Sequence, residues 1–239
     1  MSVSATFRLA STAATHAGAV RPRNEDNLLN RPDLGLWAVA DGAGGHGSGE
    51  VASAAIVEAL SAIPPGLTAA EMLAQVRLRL SAVHAELQAK AEDRGTGGVI
   101  ASTIVVLLAR GEHFAALWAG DSRIYLMRDG HLLRLTRDHS LVQELVDAGE
   151  IDAAHAESHP KANVITRAVG AGAMLELDKV ADRIQPGDRY MLCSDGVFKE
   201  LPEPRIAELL AQGAKAGDLV RLAVEAGARD NVSVVLIEA

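Results

Sequence analysis

Short apolar segments that end in aspartate or glycine recur along this chain and constrain its fold more than any other feature. Segments of this length, rich in Val, Ile and Leu and bounded by turn residues, are typical of β-strands. The predicted strands are 34–40, 101–109, 113–120, 123–130, 131–136, 189–194 and 231–239. The sequences ARGEH and RDGH stand between neighbouring segments and predict hairpin turns, which join antiparallel strands.

Two long helices are predicted before most of the strands. The first spans about 48–60 and the second about 68–92, and two shorter helices are predicted at 203–212 and 216–227. In the second helix the apolar residues recur at three- and four-residue steps, as one buried helix face requires. These residues are Met72, Val76, Leu80, Val83 and Leu87. Because helices and strands are grouped rather than alternating, the pattern favours an α+β fold with antiparallel sheets.

One segment, 138–172, differs from the rest of the chain. It holds a short predicted helix, then a polar stretch, then a return to apolar residues. Connections of this length inside a compact domain are often functional. We therefore expect a mobile flap at 138–172.

Charge and composition argue against several classes of protein. The chain has 23 basic and 31 acidic residues, a net charge of −8, whereas nucleic-acid-binding surfaces are normally basic. Its single cysteine, Cys193, has no partner for an internal disulfide, and we expect a buried structural thiol. No apolar run reaches the roughly 18 residues of a membrane span, and the first residues do not resemble a signal peptide. These observations predict a cytoplasmic protein that binds neither nucleic acid nor membrane.

Five aspartates stand at the ends of predicted strands. They are Asp26, Asp41, Asp121, Asp195 and Asp230. If the strands are neighbours the carboxylates converge, and like charges ~4 Å apart repel by about 1 kcal/mol even in bulk water. Divalent cations remove that repulsion, and a set of oxygen ligands favours Mg²⁺ or Mn²⁺ over zinc. For any single aspartate, a turn after a strand remains the alternative interpretation.

The motifs taken together are specific. They are RPRNED (21–26), VADGAGGH (39–46), AST (101–103), GDSRIY (120–125), TRDHSLV (136–142), HP and ITRAVG within 159–170, SDG (194–196) and RDN (229–231). In this order the chain, from about residue 9 to 238, resembles the metal-dependent type 2C serine/threonine protein phosphatases, in particular compact bacterial members. The resemblance implies a central β-sandwich of two antiparallel sheets with helices on both outer faces. It also implies one catalytic domain over 1–239, with the flap at 138–172.

The resemblance further implies a metal-binding role for most of the aspartates. Asp41 would bridge two divalent ions, Mn²⁺ or Mg²⁺, and Gly42 would add its backbone carbonyl. The absence of a Cβ at Gly42 would let that carbonyl approach the same ion. Asp195 and Asp230 would be direct ligands, and Asp26 would bind or orient metal-bound water.

The resemblance also concerns a third metal ion and the phosphate-binding arginine, and two positions, Arg23 and Ala43, depart from the family. Asp121 resembles the ligand of a possible third metal ion, and Arg21 matches the arginine that binds the substrate phosphate. Arg23 replaces a usually small residue and could share that role. Ala43 stands where many members have a histidine that is a proposed general acid. His46 comes three residues later, and for it we favour a structural role.

The implied reaction is the hydrolysis of phosphoserine or phosphothreonine by a water that bridges two metal ions. The expected partners are a phosphorylated protein substrate and a cognate bacterial serine/threonine kinase, and a monomer is expected. Two alternatives stay open: a phosphoprotein-binding regulatory module on the same fold, and a metallohydrolase of small phosphate esters. A Ser-His-Asp hydrolase built on Ser122 and His139 is disfavoured because no G-x-S-x-G motif is present. Ser140 is instead predicted to cap a helix.

Overall fold

Two antiparallel sheets pack face to face in the computed structural model, which describes residues 9–44, 48–93 and 98–239. The strands are β1 (Ala10–His16), β2 (Asp26–Arg31), β3 (Leu36–Ala43), β4 (Ala101–Ser102), β5 (Ile104–Arg110), β6 (His113–Ala119), β7 (Arg123–Arg128), β8 (His131–Arg134), β9 (Asp178–Arg183), β10 (Arg189–Cys193) and β11 (Val232–Glu238). The first sheet has the order β1-β11-β10-β7-β8. The second has the order β2-β3-β5-β6-β9, with β4 paired to β3.

Helices cover both outer faces of the sandwich. They are α1 (Ser48–Ser61), α2 (Ala69–Asp93), α3 (Leu141–Asp147), α4 (Ala153–Ala156), α5 (Asp195–Phe198), α6 (Glu203–Ala211) and α7 (Ala216–Glu225). The four helices predicted at 48–60, 68–92, 203–212 and 216–227 are therefore present within a residue or two. The predicted α+β sandwich with helices on both faces is confirmed.

The alternation of side chains along strand β3 shows how the layers are held together. Trp37 and Val39 point into the apolar layer between the two sheets, where they meet residues of the opposite sheet such as Leu192 and Val235. The intervening residues of β3 point outward and pack with α1 and α2. Successive strand residues face opposite sides, so one strand supplies two cores. A third core lies between the first sheet and helices α5 to α7.

Two strand boundaries differ from the prediction. Strand β3 continues through Asp41 to Ala43, so Asp41 does not end the strand. The reason is that Gly42 and Ala43 pair with the short strand β4. The predicted strand 101–109 is divided into β4 and β5 at Thr103, which lies opposite Asp41 and accepts the Asp41 backbone N–H with its side-chain Oγ1 at 3.2 Å.

Three strands were not predicted at all: β1, β2 and β9. Each lies at the edge of its sheet. The predicted hairpins are confirmed, since β5–β6 and β7–β8 pair as adjacent antiparallel strands. In the second hairpin Asp129 and Gly130 both have positive φ, of 51° and 77°, as a tight two-residue turn requires.

Segment 138–172 contains α3, α4 and a series of turns. Its base is closed by a bridge between Ser140 and Ile165. The Ser140 side chain accepts a hydrogen bond from the Gln143 backbone at the start of α3, so its predicted capping role is confirmed. Within the described ranges, no helix is both long and apolar enough to cross a membrane.

Candidate active site

The fold brings the five predicted aspartates to one end of the sandwich. Asp26 opens β2 and lies directly opposite Asp41 of β3 in the antiparallel register. Asp195 follows β10, and Asp230 precedes β11, which is the neighbour of β10 in the first sheet. Asp121 lies in the connection from β6 to β7, and β7 pairs with the other side of β10. Both sheets therefore contribute carboxylates to the same place.

Asp41 lies among the other four carboxylates. Its side chain is only partly exposed, and burial raises its pKa well above the ordinary value. The charges of Asp26, Asp195, Asp121 and Asp230 raise it further, in that order. Repulsion from four neighbouring carboxylates makes ionisation of Asp41 unfavourable unless a positive charge lies nearby. The predicted convergence of these side chains is thus present in the structure.

Asp26 is the most deeply buried part of the cluster, with 4% of its surface exposed. Burial raises its pKa to about 7, and the nearby hydroxyls of Ser233 and Ser194 oppose that rise. Ser194 Oγ donates to Asp26 Oδ2 at 2.8 Å, whereas Oδ1 is buried and has no hydrogen-bond partner within the described part of the chain. A buried carboxylate oxygen without a partner is costly, and a cation or a water held by one would satisfy it.

Gly42 is required by packing. A Cβ built on Gly42 would lie 2.3 Å from the carbonyl oxygen of Gly49 and 2.5 Å from that of Glu25. Strand β3 therefore passes the start of α1 at backbone contact distance. The sequence suggested a metal-binding reason for this glycine, and the structure adds a steric one. Residues 45–47, including His46, lie outside the described residues.

Arg21 faces the carboxylates and Arg23 does not. Arg21 Nη2 donates to Asp230 Oδ2 at 2.7 Å, and about half of each side chain remains exposed. The pKa of Arg21 is raised, mainly by Asp230, with smaller contributions from Glu25 and Asp41. Arg23 points to Glu50 on α1, 3.8 Å away, and is 70% exposed.

Asn231 holds the loop that carries Arg21, a role that the sequence reasoning did not assign. Its Oδ1 accepts the backbone N–H of Glu25 at 2.8 Å, and its Nδ2 donates to the carbonyls of Ala17 and Arg23, each at 3.0 Å. The RDN motif contained this residue, but only its aspartate was given a function. The position of Asn231 directly after Asp230 was the sequence feature that could have indicated a role at the site.

Asp121 is buried and close to a lysine that the sequence reasoning also missed. Burial raises the pKa of Asp121 to about 7; the charges of Asp195 and Asp138 add to the rise, and Lys199 opposes it. Lys199 Nζ lies 2.5 Å from Asp195 Oδ2. A cation of the protein itself therefore compensates part of the negative charge.

His139 supports the turn that precedes Asp121. Its Nδ1 accepts the backbone N–H of Gly120 at 3.2 Å, so the ring proton is assigned to Nε2, which faces Asp178 Oδ2 at 3.2 Å. Ser122 Oγ instead pairs with Thr103 Oγ1 at 2.8 Å. His139 and Ser122 thus have separate structural partners, and the Ser-His-Asp hydrolase that the sequence disfavours has no hydrogen bond between these two side chains among the described contacts.

The family model described as protein phosphatase 2C matches residues 23–222. The chain belongs to the protein phosphatase 2C family. The family predicted from the motifs is thereby confirmed.

Named relatives agree with this family. The serine/threonine protein phosphatase PstP of Mycobacterium tuberculosis is 37% identical over 98% of this chain and 45% of its own length. The chain therefore spans about half the length of that curated relative. The solved structure of PppA, a regulatory component of the type VI secretion system in Pseudomonas aeruginosa, is 40% identical with a TM-score of 0.90, over 98% of this chain and 99% of that one. The catalytic domain of PstP in complex with two manganese ions is 35% identical with a TM-score of 0.81, over 96% and 97%.

A cleft of 810 Å³ opens beside the carboxylates of this phosphatase-family site. Its lining includes Arg21, Asp230, Phe198 and Lys199, together with His159 and Asn163 of segment 138–172. The cleft thus combines residues next to the aspartates with residues of the segment predicted as a flap.

The donor set fits divalent cations chemically. The donors are carboxylate oxygens, which are the ligands that Mg²⁺ and Mn²⁺ prefer. Neighbouring carboxylates in the cluster raise the pKa of Asp26, Asp41 and Asp121. Among the described residues, no three acidic, histidine or cysteine side chains already form a closed metal-binding group. Arg21 holds one oxygen of Asp230 and Lys199 holds one oxygen of Asp195, so both carboxylates have alternative partners.

Proposed function

We propose that this chain is a metal-dependent phosphatase that hydrolyses phosphoserine and phosphothreonine in proteins. The observation that carries the proposal is the convergence of five aspartates from both sheets beside Arg21. Membership of the protein phosphatase 2C family and the named phosphatases among its relatives support it.

The aspartates are proposed to hold two divalent cations, as the related PstP catalytic domain holds two manganese ions. Asp41 would be shared by the two ions, the Gly42 carbonyl would be a further ligand, Asp195 and Asp230 would be direct ligands, and Asp26 would bind or orient metal-bound water. When bound, the two cations activate a water for attack on phosphorus near neutral pH. Asp26 Oδ1 is suited to orient a water because it is buried and has no hydrogen-bond partner in the described ranges.

Arg21 is proposed to bind the phosphate group of the substrate. Its guanidinium already lies at the edge of the carboxylate cluster, and its bond to Asp230 is solvent-exposed and therefore weak. A guanidinium can bind two phosphoryl oxygens at once, and its charge stabilises the negative charge that builds up during transfer. Arg21 therefore exchanges Asp230 for the substrate phosphate.

Segment 138–172 is proposed to form a flap that helps to select the substrate within a single catalytic domain spanning 1–239. Arg123 holds it near its start and its middle: its Nη2 lies 2.6 Å from Asp138 Oδ2 and 3.0 Å from Glu157 Oε1. The open cleft between this segment and α5 suits a protein side chain on an extended segment better than an enclosed small ester.

The proposed activity also implies a kinase partner and a cellular setting. A serine/threonine kinase is proposed to produce the phosphoprotein substrate, and the chain is proposed to act as a monomer in the cytoplasm. The single cysteine, Cys193, is fully buried and burial raises its pKa to about 12, which suits an inert thiol in a reducing compartment.

The test measures release of phosphate from a phosphothreonine peptide and from an aryl phosphate, with Mn²⁺, with Mg²⁺ and with EDTA. We expect hydrolysis of the peptide that needs Mn²⁺ or Mg²⁺. Asp41→Asn and Asp195→Asn should each abolish it without loss of the circular dichroism spectrum. Asp33→Asn is the control, since Asp33 is exposed and pairs with Arg31.

Three other results would contradict the proposed function. Activity that survives thorough chelation overturns the metal-dependent mechanism. Peptide binding without turnover favours a regulatory module, and hydrolysis of the aryl phosphate alone favours a small-ester hydrolase.

A further inference from the structure

Lys199 directly follows the short helix α5 and lies four residues after Asp195. Side chains at this spacing are neighbours on a helix surface. Lys199 Nζ lies 2.5 Å from Asp195 Oδ2 and donates to Asn163 Oδ1 of segment 138–172 at 2.8 Å. The ammonium is therefore held between an aspartate of the site and the neighbouring segment.

This ion pair differs from the other pair at the site. Arg21 and Asp230 are 53% and 43% exposed, whereas Lys199 and Asp195 are 30% and 13% exposed. Lys199 also has a second contact, because it donates to Asn163, whereas an exposed pair such as Arg21–Asp230 exchanges partners readily. Lys199 is thus anchored where Arg21 is free to leave.

The ammonium also acts on Asp121. Asp121 and Asp195 are near enough for the charge of Asp195 to raise the pKa of Asp121, and Lys199 opposes that effect. One fixed positive charge therefore serves two acidic side chains.

The resemblance links Asp121 to a possible third metal ion, and Asp195 lies close enough for its charge to act on Asp121. A divalent cation placed there meets the repulsion of the anchored ammonium and competes with it for Asp195. We propose that the Lys199 ammonium takes the place of a third divalent cation at Asp121 and Asp195, so that this chain binds two metal ions and not three. This inference rests on the proposed two-metal function and refines it.

The experiment counts Mn²⁺ bound per chain, by electron paramagnetic resonance of free Mn²⁺ during titration of the full chain. We expect two ions for the wild type and no third ion up to millimolar Mn²⁺. Lys199→Gln should gain a third site that binds at least tenfold more tightly than any third ion in the wild type. Asp121→Asn in the Lys199→Gln background should remove that site again.

Three further variants sharpen the count. Lys199→Arg keeps the charge and should stay at two ions. Lys90→Gln is the matched control, because Lys90 pairs with Glu86 at the same helical spacing and 2.6 Å, but on α2. Asn163→Ala removes the Asn163 acceptor of the Lys199 ammonium and should give a third site of intermediate affinity. This variant keeps the inference testable if Lys199→Gln does not fold.

The outcomes separate this inference from the proposed function. A wild-type chain that binds three ions overturns the inference, and so do folded Lys199→Gln and Asn163→Ala variants that both remain at two. A wild-type chain that binds no Mn²⁺ below millimolar concentration overturns the proposed function itself.

Discussion

Ser194 Oγ donates a 2.8 Å hydrogen bond to Asp26 Oδ2 and so joins the two sheets at the point where the carboxylates meet. Ser194 follows β10 of the first sheet, and Asp26 opens β2 of the second. The same hydroxyl oxygen accepts the backbone N–H of Ser233 at 3.0 Å. Since both side chains are buried, this contact fixes the direction of Asp26.

Ser194→Ala should weaken both the fold and the metal site. We expect a loss of about 1–3 kcal/mol in the free energy of unfolding, because a buried carboxylate loses a donor. The affinity for Mn²⁺ should fall roughly 10–100-fold, as for other residues that orient a ligand. Urea unfolding and Mn²⁺ titration measure the two effects. Ser11→Ala is the control, since Ser11 also bonds across the sheets, to Asn30 at 2.7 Å, but in an exposed position. Equal losses in both variants would contradict a special role for Ser194.

Arg21→Ala should raise KM for a phosphothreonine peptide roughly 10–100-fold, since a charge-assisted hydrogen bond is worth about 1.5–3 kcal/mol. The melting temperature should stay nearly unchanged, because the Arg21–Asp230 pair is exposed. Arg23→Ala, at a neighbouring exposed position that points to Glu50, is the control and should leave KM near the wild-type value. Steady-state kinetics decide between the two arginines, and a larger KM effect at Arg23 would reassign the phosphate-binding role.

The stability of the chelated chain should fall as pH rises from about 4 to about 7. Burial raises the pKa of Asp26 and of Asp121 from 3.8 to about 7 in the folded chain, so the folded state binds more protons than the unfolded state in this range. Their contribution is present below pH 4 and is lost as pH rises through about 7. Saturating Mn²⁺ should remove this fall, because cations stabilise the ionised carboxylates.

Urea unfolding of the wild type and of Asp26→Asn, in EDTA at several pH values, isolates this effect. Burial lowers the pKa of His84 and of His139, which acts in the opposite direction, but both histidines are common to the two proteins. The stability of Asp26→Asn relative to the wild type should therefore rise with pH. A difference that stays constant between pH 4 and 7 would show that Asp26 does not titrate in this range.

Gly42→Ala should destabilise the chain by about 1–3 kcal/mol, the usual cost of overpacking. Its Cβ would meet two backbone carbonyl oxygens within 2.5 Å, and backbone atoms cannot move aside as a side chain can. Gly217→Ala is the matched control. Gly217 lies in α7 with nothing near the position of a Cβ, so alanine should stabilise that helix by roughly 0.5–1 kcal/mol. Thermal unfolding should therefore move in opposite directions for the two variants.

The strands that the sequence did not predict have a shared physical cause. Strands β1, β2 and β9, with the sequences ASTAATH, DNLLNR and DKVADR, lie at sheet edges. Edge strands have one strand neighbour and often carry polar or charged residues, which discourage pairing with other chains. Their hydrophobic pattern is therefore weak, whereas central strands such as β5 and β11 are buried almost throughout and were recognised.

The sequence by itself determined the elements whose signal is local. Helical periodicity predicted α2, and the turn residues predicted the hairpins. The ordered motifs predicted the family, and the positions of the aspartates at strand ends predicted their convergence. Only the tertiary structure decided which partner each side chain takes. Lys199 contacts Asn163, Asp26 contacts Ser194, and Asn231 contacts the loop before β2, and these pairs join residues 36 to 214 positions apart in the sequence. Such contacts depend on how the two sheets pack, and no local pattern of residues specifies them.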